Sequence, residues 1–364
     1  MYLKQINYSN FRCLEDTKTE LDRNFNLIYG KNGQGKTTFI EAVHFLATGK
    51  SFRTKKIKEL FRYNKNRVIV FGKYINRNDE ENALAIDVNE EKKDFYINKN
   101  KNKYIDYVGL LNIISFIPED IEIITGNPSV RRNFFNYEIS QAKKDYLKSI
   151  VNFEKILKVR NRLIKEKKTN EEIYDIYNEK FLEEGTDIII YRREFIKNIS
   201  ILLNLNYRKL FDSKSELKLK YDCFLGDTDK KTREEIMIKF RETVKRKSER
   251  EKILGYSLTG PQKDDFIFEL NGKIAKSFSS QGEKKSIIFS LKISEIDMLV
   301  KEKNEYPLFI MDDIASYFDE VRKKSILDYF INKKIQCFIT STEDLNIKGK
   351  KFIIEKGKVI TDEK

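Results

Sequence analysis

The sequence predicts an α/β fold that is interrupted by a long helical insertion. Three observations support this prediction. The apolar run Phe25–Tyr29 leads directly into a glycine-rich loop and then into a helical pattern. Between residues 67 and 107, apolar and polar residues alternate with the period of antiparallel strands. A charged segment, which lacks proline between Pro128 and Pro261, separates these elements from a second apolar run, Pro307–Met311.

The N-terminal elements follow from the same patterns. Residues 1–8 alternate as a half-buried strand does, and a second short strand is predicted at about 17–21. The glycine-rich loop comes next and has the spacing G-x-x-x-x-G-K-T of a phosphate-binding loop. Its glycines let successive backbone N–H groups point at phosphate oxygens, and the start of the following helix adds positive potential. The chain is therefore predicted to bind a nucleoside triphosphate.

Individual roles follow from the chemistry of this loop. Lys36 is predicted to reach the β- and γ-phosphates and to act in catalysis, and the Thr37 hydroxyl is predicted to bind Mg²⁺. The predicted nucleotide contacts in this stretch are Gly30, Lys31, Asn32, Gly33, Gln34, Gly35, Lys36, Thr37 and Thr38.

The helix after the loop is predicted to end at Gly49, where a strongly basic turn begins. Two interpretations of this turn remain open, because charged runs are often solvated loops but also make phosphate contacts with nucleic acid. The candidate DNA contacts are Arg53, Lys55, Lys56 and Lys58. Strands predicted at 68–72, 83–88 and 93–97 then form an antiparallel meander, and a strand at 113–117 leads into a helix start at Pro118.

From about residue 131 to residue 211, apolar residues recur three and four positions apart on highly charged helices. We interpret this segment as an inserted helical arm whose apolar stripe serves helix–helix packing. The weaker segment after it ends in the basic stretch Lys245–Arg250, in which Lys245-Arg246-Lys247 is a second candidate for DNA contact. The predicted domains are a head formed by residues 1–118 and 251–364, and an inserted helical domain at residues 119–250.

The C-terminal part contains two further candidate site segments. Ser280-Gln281-Gly282-Glu283 combines a hydroxyl, a glycine and a helix start, which are the parts of an anion site. Its S-x-x-E spacing is also that of a capping box, and the two interpretations are compatible.

The second segment is the apolar run that ends in Asp312 and Asp313. Asp312 is predicted to hold Mg²⁺ at the end of a buried strand, and Asp313 to orient or deprotonate an attacking water. A helix at about 320–330, a buried strand at 336–340 and a hairpin at 351–360 complete the prediction.

Composition restricts the partners and the compartment. Lys+Arg 71 against Asp+Glu 57 gives a net charge of +14, which favours a polyanionic partner, although a general bias toward lysine remains an alternative. Cys13, Cys223 and Cys337 form no C-x-x-C pair, which argues against a zinc site and a disulfide framework. Since no signal peptide or membrane-spanning run is present, we expect a cytoplasmic protein without a membrane partner.

Taken together, these motifs resemble the RecF family of bacterial recombination-repair proteins, in the family's order and from residue 1 to the C-terminus. The segments that carry the resemblance are 10–12, 30–37, 51–54, 116–120, 126–128, 131–132, 260–265, 280–282 and 312–313.

The resemblance implies an ABC-type ATPase head related to SMC and Rad50 heads, with ATP and Mg²⁺ as cofactors and weak, DNA-stimulated hydrolysis. ATP is sandwiched between two subunits in that family, so ATP binding drives homodimerisation on DNA and hydrolysis releases it. The signature Ser280-Gln281-Gly282 of one subunit faces the phosphate loop of the other, Asp319 lies in the loop that crosses between subunits, and Thr340 lies near the switch position. The implied partners are single-strand/double-strand DNA, RecR and RecO, and indirectly RecA.

Four residues depart from the family pattern, namely Gln262, Lys263, Glu283 and Asn136. Two other functions of a phosphate-loop protein are disfavoured. A P-loop ATPase fused to a metal-dependent nuclease would need a second acidic cluster, which the charged arm does not show. An ABC transporter subunit would bind its partner through an apolar groove, which the basic turn and the net charge of +14 disfavour.

Overall fold

The structure, a computed structural model, describes residues 1–313, 320–345 and 347–362, without the side chains of residues 320–322 and 325. The chain forms two compact units, one of Met1–Glu119 with Leu299–Lys364 and one of Asp120–Met298. Among the described residues, no helix is both long and apolar enough to cross a bilayer.

The first unit begins with strands and the helix that follows the phosphate loop. In chain order its N-terminal elements are β1 (Tyr2–Ser9), β2 (Thr17–Glu20), β3 (Phe25–Tyr29), α1 (Lys36–Thr48), β4 (Arg67–Ile75), β5 (Glu81–Asn89), β6 (Lys93–Ile97), β7 (Asn100–Asn102), α2 (Tyr104–Tyr107) and β8 (Ile113–Phe116). A short 3₁₀ turn at Ile57–Leu60 precedes β4.

The second unit holds most of the helices. Its elements are α3 (Glu122–Thr125), α4 (Pro128–Ala142), α5 (Lys144–Lys165), α6 (Glu172–Leu210), β9 (Leu217–Asp222), α7 (Arg233–Leu254), β10 (Asp265–Leu270), β11 (Lys273–Ile274), α8 (Ala275–Phe278) and α9 (Gln281–Lys303), of which residues 299–303 are grouped with the first unit. The chain then returns to the first unit with β12 (Leu308–Met311), α10 (Glu320–Lys333), β13 (Cys337–Ser341), β14 (Lys350–Glu355) and β15 (Lys358–Asp362).

The predicted antiparallel meander is confirmed as a sheet in the order β2-β1-β4-β5-β6-β7. All neighbouring strands in it run antiparallel. Buried and partly exposed residues alternate along β4 and β5, as the period-two pattern required.

The nucleotide side of the first unit is built on a second, mixed sheet in the order β15-β14-β3-β13-β12-β8. The strands β14, β3, β13, β12 and β8 are parallel, and β15 pairs antiparallel with β14. Because parallel strands end at the same edge, β3 delivers the phosphate loop to the edge where β12 delivers Asp312. Helix α1 packs into the core through fully buried Phe39, Val43 and Leu46, and Gly49, with φ 67°, caps its C-terminal end.

The predicted helical arm is confirmed in the second unit. Helices α5 and α6 are 22 and 39 residues long and are joined by residues 166–171. Their contact is aromatic, with the rings of Phe153 and Phe181 stacked at 5.2 Å and Phe240 of α7 against Phe181 at 5.2 Å. Gly185 makes this close approach possible, because a Cβ there would lie 2.6 Å from Phe240.

The contacts group residues 251–298 with the second unit, whereas the sequence predicted them in the head. The physical reason is strand pairing, since β10 pairs antiparallel with β9 along its whole length and also with β11. This grouping records packing alone, and the assignment of residues 251–298 to the ATPase head stays a prediction.

Three departures from the family pattern have visible contacts in the second unit. The Asn136 Oδ1 accepts hydrogen bonds from Arg192 Nη2 at 2.9 Å and from the Tyr146 hydroxyl at 2.5 Å. Arg192 is itself buried and paired with Asp264 at 2.7 Å. The Gln262 Nε2 donates to the Thr259 carbonyl at 2.6 Å, and Lys263 Nζ lies 5.4 Å from the centre of the Tyr256 ring. These contacts stabilise the packing of the unit.

Candidate nucleotide-binding site

The phosphate loop has the backbone that its glycines allow. Gly30, Gly33 and Gly35 adopt φ values of 140°, 78° and 113°, in the region that side chains rarely enter. Gly35 is the N-cap of α1 and no side chain caps the helix, while the first turn contains no acidic residue. The first N–H groups of α1 therefore lack side-chain capping partners and lie in a positive potential, as an anion site requires.

Lys36 lies folded over this loop. Its Nζ donates to the Gly30 carbonyl at 2.6 Å, to the Lys31 carbonyl at 3.0 Å and to Asn32 Oδ1 at 3.3 Å. Partial burial lowers the pKa of Lys36, and the nearby Asp313 and Asp312 oppose that effect. The ammonium group is thus held by three oxygen atoms of the phosphate loop itself.

The structure brings Thr37 and Asp312 together across the sheet edge. The Thr37 hydroxyl lies 3.1 Å and 3.2 Å from the two carboxylate oxygens of Asp312. The Thr340 hydroxyl donates to Asp312 Oδ1 at 2.5 Å. Burial raises the pKa of Asp312, and the hydrogen bonds from Thr340 and Thr37 oppose the rise. A hydroxyl and a carboxylate side by side are the oxygen ligands that Mg²⁺ prefers, so these residues fit the metal.

Asp313 occupies an unusual backbone position beside this pair. Its φ is 55°, in the left-handed region, and its backbone N–H donates to the Thr340 hydroxyl at 2.8 Å. Thr340 thus fixes both acids, since it donates to Asp312 and accepts from Asp313.

A cavity of about 590 Å³ joins these groups. Its lining, all in the first unit, is Arg12, Cys13, Asn32, Gly33, Gly35, Lys36, Thr37, Thr38, Arg53, Pro118, Asp312, Asp313 and Thr340. Such a size is within the range of small-ligand pockets.

The structure adds a cluster that the sequence analysis missed, centred on Glu41. This carboxylate is fully buried in α1, one turn after Thr37. Arg12 contacts it twice, with Nη2 donating to Oε1 at 2.7 Å and Nε at 2.7 Å from Oε2. Arg53 Nη1 lies 3.5 Å from Oε2, and the Ser51 hydroxyl donates to Oε1 at 2.5 Å. The sequence signal that could have revealed this cluster is a charged residue among the apolar positions of α1.

The predicted DNA residues separate into two groups. Arg53 lies at the nucleotide cavity, where its Nη1 donates to the Thr38 hydroxyl at 3.4 Å. Lys56 and Lys58 are 81% and 75% exposed and pair with Glu59 at 3.4 Å and Glu90 at 3.0 Å. Lys55 is also exposed. The three lysines stay a prediction for DNA contact, whereas the position of Arg53 favours a role at the nucleotide.

The remaining predicted residues lie as follows. Gln34 accepts a hydrogen bond from the backbone N–H of Lys356 at 2.7 Å, which anchors the loop to the β14–β15 turn. In the second unit, Ser280, Gln281 and Gly282 are exposed at the start of α9. Asp319 lies outside the described residues.

The capping box at the start of α9 is present in the structure. The Glu283 N–H donates to Ser280 Oγ at 3.2 Å, and the Ser280 N–H donates to Glu283 Oε2 at 2.6 Å. Glu283 therefore has a structural function despite its departure from the family pattern.

Comparison with known proteins decides the family. Residues 2–355 match the family described as RecF/RecN/SMC N terminal domain. The DNA replication and repair protein RecF of Halothermothrix orenii is 34% identical over 353 residues, which covers 95% of this chain and 94% of that protein. The chain belongs to the RecF family. The protein of the same name from Clostridioides difficile is 34% identical over 363 residues, covering 99% and 96% of the two chains.

Solved structures confirm the predicted fold class of the RecF-family chain. It matches the recombination mediator protein RecF-ATP in the RecFOR pathway with a TM-score of 0.93 and 31% identity, covering 99% of this chain and 97% of that one. It also matches an SMC head bound to the C-winged helix domain of ScpA with a TM-score of 0.56 at 15% identity, a likeness of fold alone. Membership of the RecF family makes this chain an ATP-binding protein of the ATPase class.

Proposed function

We propose that this protein is an ATP-dependent DNA-binding protein of recombinational repair and replication restart. ATP binding drives dimerisation on DNA at single-strand gaps, and slow, DNA-stimulated hydrolysis releases the dimer. The observation that carries the proposal is the cavity in which Lys36, Thr37 and Asp312 converge. The names of the relatives, which place RecF in DNA replication, repair and the RecFOR pathway, supply the biological context.

Each residue of the cavity has a defined task in this proposal. Backbone N–H groups of the phosphate loop and the Lys36 ammonium bind the phosphates. Thr37 and Asp312 would hold Mg²⁺, which would supply positive charge to stabilise the negative charge of the phosphates. Asp313 orients the attacking water and accepts its proton, a task that the hydrogen bond from its backbone N–H to Thr340 and its position in the cavity support.

Arginines on the cavity wall extend the positive surface toward the phosphates. Arg12 and Arg53 both line the cavity, and both guanidinium groups pair with the buried carboxylate of Glu41. Guanidinium groups fit phosphate oxygens in a bidentate manner, so a fixed orientation favours binding.

The second half of the composite site is proposed to come from another copy of the chain. Ser280, Gln281 and Gly282 are exposed at the N-terminal end of α9, where backbone N–H groups and the helix dipole favour a phosphate. A Cβ added at Gly282 would meet no atom within 4 Å, so the approach is open. The partners proposed with the dimer are DNA, RecR and RecO, through which the RecA recombinase is loaded.

Light scattering tests the proposal directly. Asp313→Asn is expected to block hydrolysis while it keeps nucleotide binding, so that ATP converts the variant from monomer to a long-lived dimer. Gapped DNA should increase the dimer fraction and stimulate ATP turnover in the parent protein. Lys36→Ala is the matched control, because without the ammonium it should stay monomeric with ATP. A monomeric Asp313→Asn variant at saturating ATP and gapped DNA would refute the dimer mechanism.

A further inference from the structure

We propose that a groove on the first unit binds an acidic, apolar peptide segment of a partner protein. The groove has a volume of about 830 Å³ and lies between α10 and the residues that lead into β3 and β14. It belongs to none of the motifs assigned above.

The groove lies at the opposite end of the parallel strands from the nucleotide cavity. Phe25, the first residue of β3, lines the groove, whereas the last residue of β3 leads into the phosphate loop. Ile347 and Lys348 precede the start of β14 and also line it. An occupant of the groove would therefore leave the nucleotide site accessible.

Apolar side chains form the floor and one wall. Leu327 and Ile331 are one helical turn apart on α10 and line the groove. Ile331 is 53% exposed, while Phe25 and Ile347 below it are 3% and 9% exposed. An exposed isoleucine beside a buried apolar floor can bury further apolar surface when a partner covers it.

Basic side chains surround this apolar floor. Lys324, Lys334, Lys348 and Arg23 line the groove, and within the described parts of the chain no ion pair engages any of them. Asp328 is the acidic residue among the lining side chains. A ligand that combines carboxylates with apolar side chains satisfies both features, because carboxylates pair with the ammonium groups while the apolar groups cover Ile331.

The same chemistry disfavours two other occupants. A nucleic-acid backbone would match the lysines but would leave the apolar floor unsatisfied, since phosphates and sugars are polar. A second copy arranged by two-fold symmetry would place this basic rim against itself, and like charges across an interface cost several kcal/mol. A peptide is the occupant that accounts for the charge and the apolar surface together.

Fluorescence anisotropy with the complete protein tests the proposal. The probe is a fluorescein-labelled peptide of the sequence Glu-Asp-Leu-Glu-Glu-Ile-Phe-Asp-Leu, and its control peptide has every acid replaced by the corresponding amide. We expect saturable binding of the acidic peptide, and at least about tenfold weaker binding of the amide peptide. The variants Ile331→Asp and Lys324→Glu/Lys334→Glu should each weaken binding of the acidic peptide by at least about tenfold.

Matched controls carry the same changes on helices of the second unit. Ile238→Asp changes an isoleucine that is 56% exposed on α7, and Lys155→Glu/Lys158→Glu changes two exposed lysines of α5. Both control variants should bind the peptide within about twofold of the parent protein. All variants should keep ATP-dependent dimerisation. A failure of the groove proposal, seen in peptide binding, is therefore distinguishable from a failure of the proposed function, seen in dimerisation.

Three results would overturn the proposal. The first is that the groove variants bind the acidic peptide as well as the parent does, or that the parent shows no saturable binding. The second is that the groove variants lose affinity for duplex DNA in place of the peptide, which would assign the groove to nucleic acid. The third is that they lose self-association by light scattering, which would assign it to a second copy.

Discussion

Glu41 provides the sharpest test of the nucleotide site, because it is fully buried and holds Arg12 and Arg53 on the cavity wall. Glu41→Gln keeps the shape of the side chain and removes its charge. The variant leaves Arg12, whose side chain is 16% exposed, without its counter-charge. Removing one partner of a buried pair costs about 3–5 kcal/mol. Because Arg12 also faces the solvent of the cavity, we expect about 1–2 kcal/mol for the free protein.

This loss should be visible in thermal unfolding. A destabilisation of that size lowers Tm by about 1–3 °C in a chain of this length, because the entropy of unfolding is about 2.1 cal/mol/K per residue. ATP should reduce the deficit, because its phosphates supply the negative charge that the substitution removed. The measurement is therefore the Tm of parent and variant, each with and without saturating ATP in the absence of hydrolysis.

Glu59→Gln is the control for Glu41→Gln. Glu59 is 47% exposed and pairs with Lys56 at 3.4 Å, so its loss should change stability by less than about 1 kcal/mol. The prediction is wrong if Glu41→Gln has the same Tm as the parent protein, or if the Tm difference between them is as large with ATP as without it. Either result would show that the arginines do not depend on Glu41 or do not face the phosphates.

Three further predictions follow from the same structure. Burial raises the pKa of Asp312, so the folded protein binds a proton on this carboxylate more tightly than the unfolded chain does, and it loses stability as pH rises through the raised pKa. Asp312→Asn should therefore raise the Tm of the nucleotide-free protein at neutral pH and lose that advantage in acid. The same variant should abolish Mg²⁺-dependent ATP binding. Gly185→Ala should destabilise the protein by about 1–3 kcal/mol in urea unfolding, because the new Cβ would lie 2.6 Å from Phe240 and this clash outweighs the better helix propensity of alanine. As a control, Glu183→Ala at an exposed neighbouring position should leave the stability unchanged. The predicted DNA lysines are Lys55, Lys56 and Lys58. Their replacement by glutamate should lower the affinity for gapped DNA and reduce the slope of log affinity against log salt concentration by about 0.9 per lost phosphate contact. An unchanged slope would show that these lysines do not contact DNA.

The basic turn shows where sequence reasoning was limited. Its four cations looked equivalent in the sequence, but the structure places Arg53 at the nucleotide cavity and leaves Lys56 and Lys58 on the surface. The difference arises because a buried carboxylate, Glu41, attracts the guanidinium of Arg53. A charge run carries no information about which of its members faces a buried counter-charge.

The packing of residues 251–298 shows the same limit. The helical spacing of α5 and α6 was sufficient to predict the arm. The placement of residues 251–298 was decided by the pairing of β10 with β9, two strands that are far apart in the chain. Strand pairing depends on which edges are available in the folded chain, so it could not be predicted from the alternation within β10 alone.

The sequence by itself determined the phosphate loop, the paired acids, the α/β class and the RecF family. These features are readable because phosphate binding uses consecutive backbone N–H groups at a strand–helix junction, so its signal is contiguous. Tertiary structure alone decided that Thr37 meets Asp312 from 275 positions away, that Glu41 organises two arginines, and that a basic, apolar groove forms at the other end of the sheet. The physical reason is the parallel sheet, which collects the carboxyl ends of distant strands at one edge and their amino ends at the other.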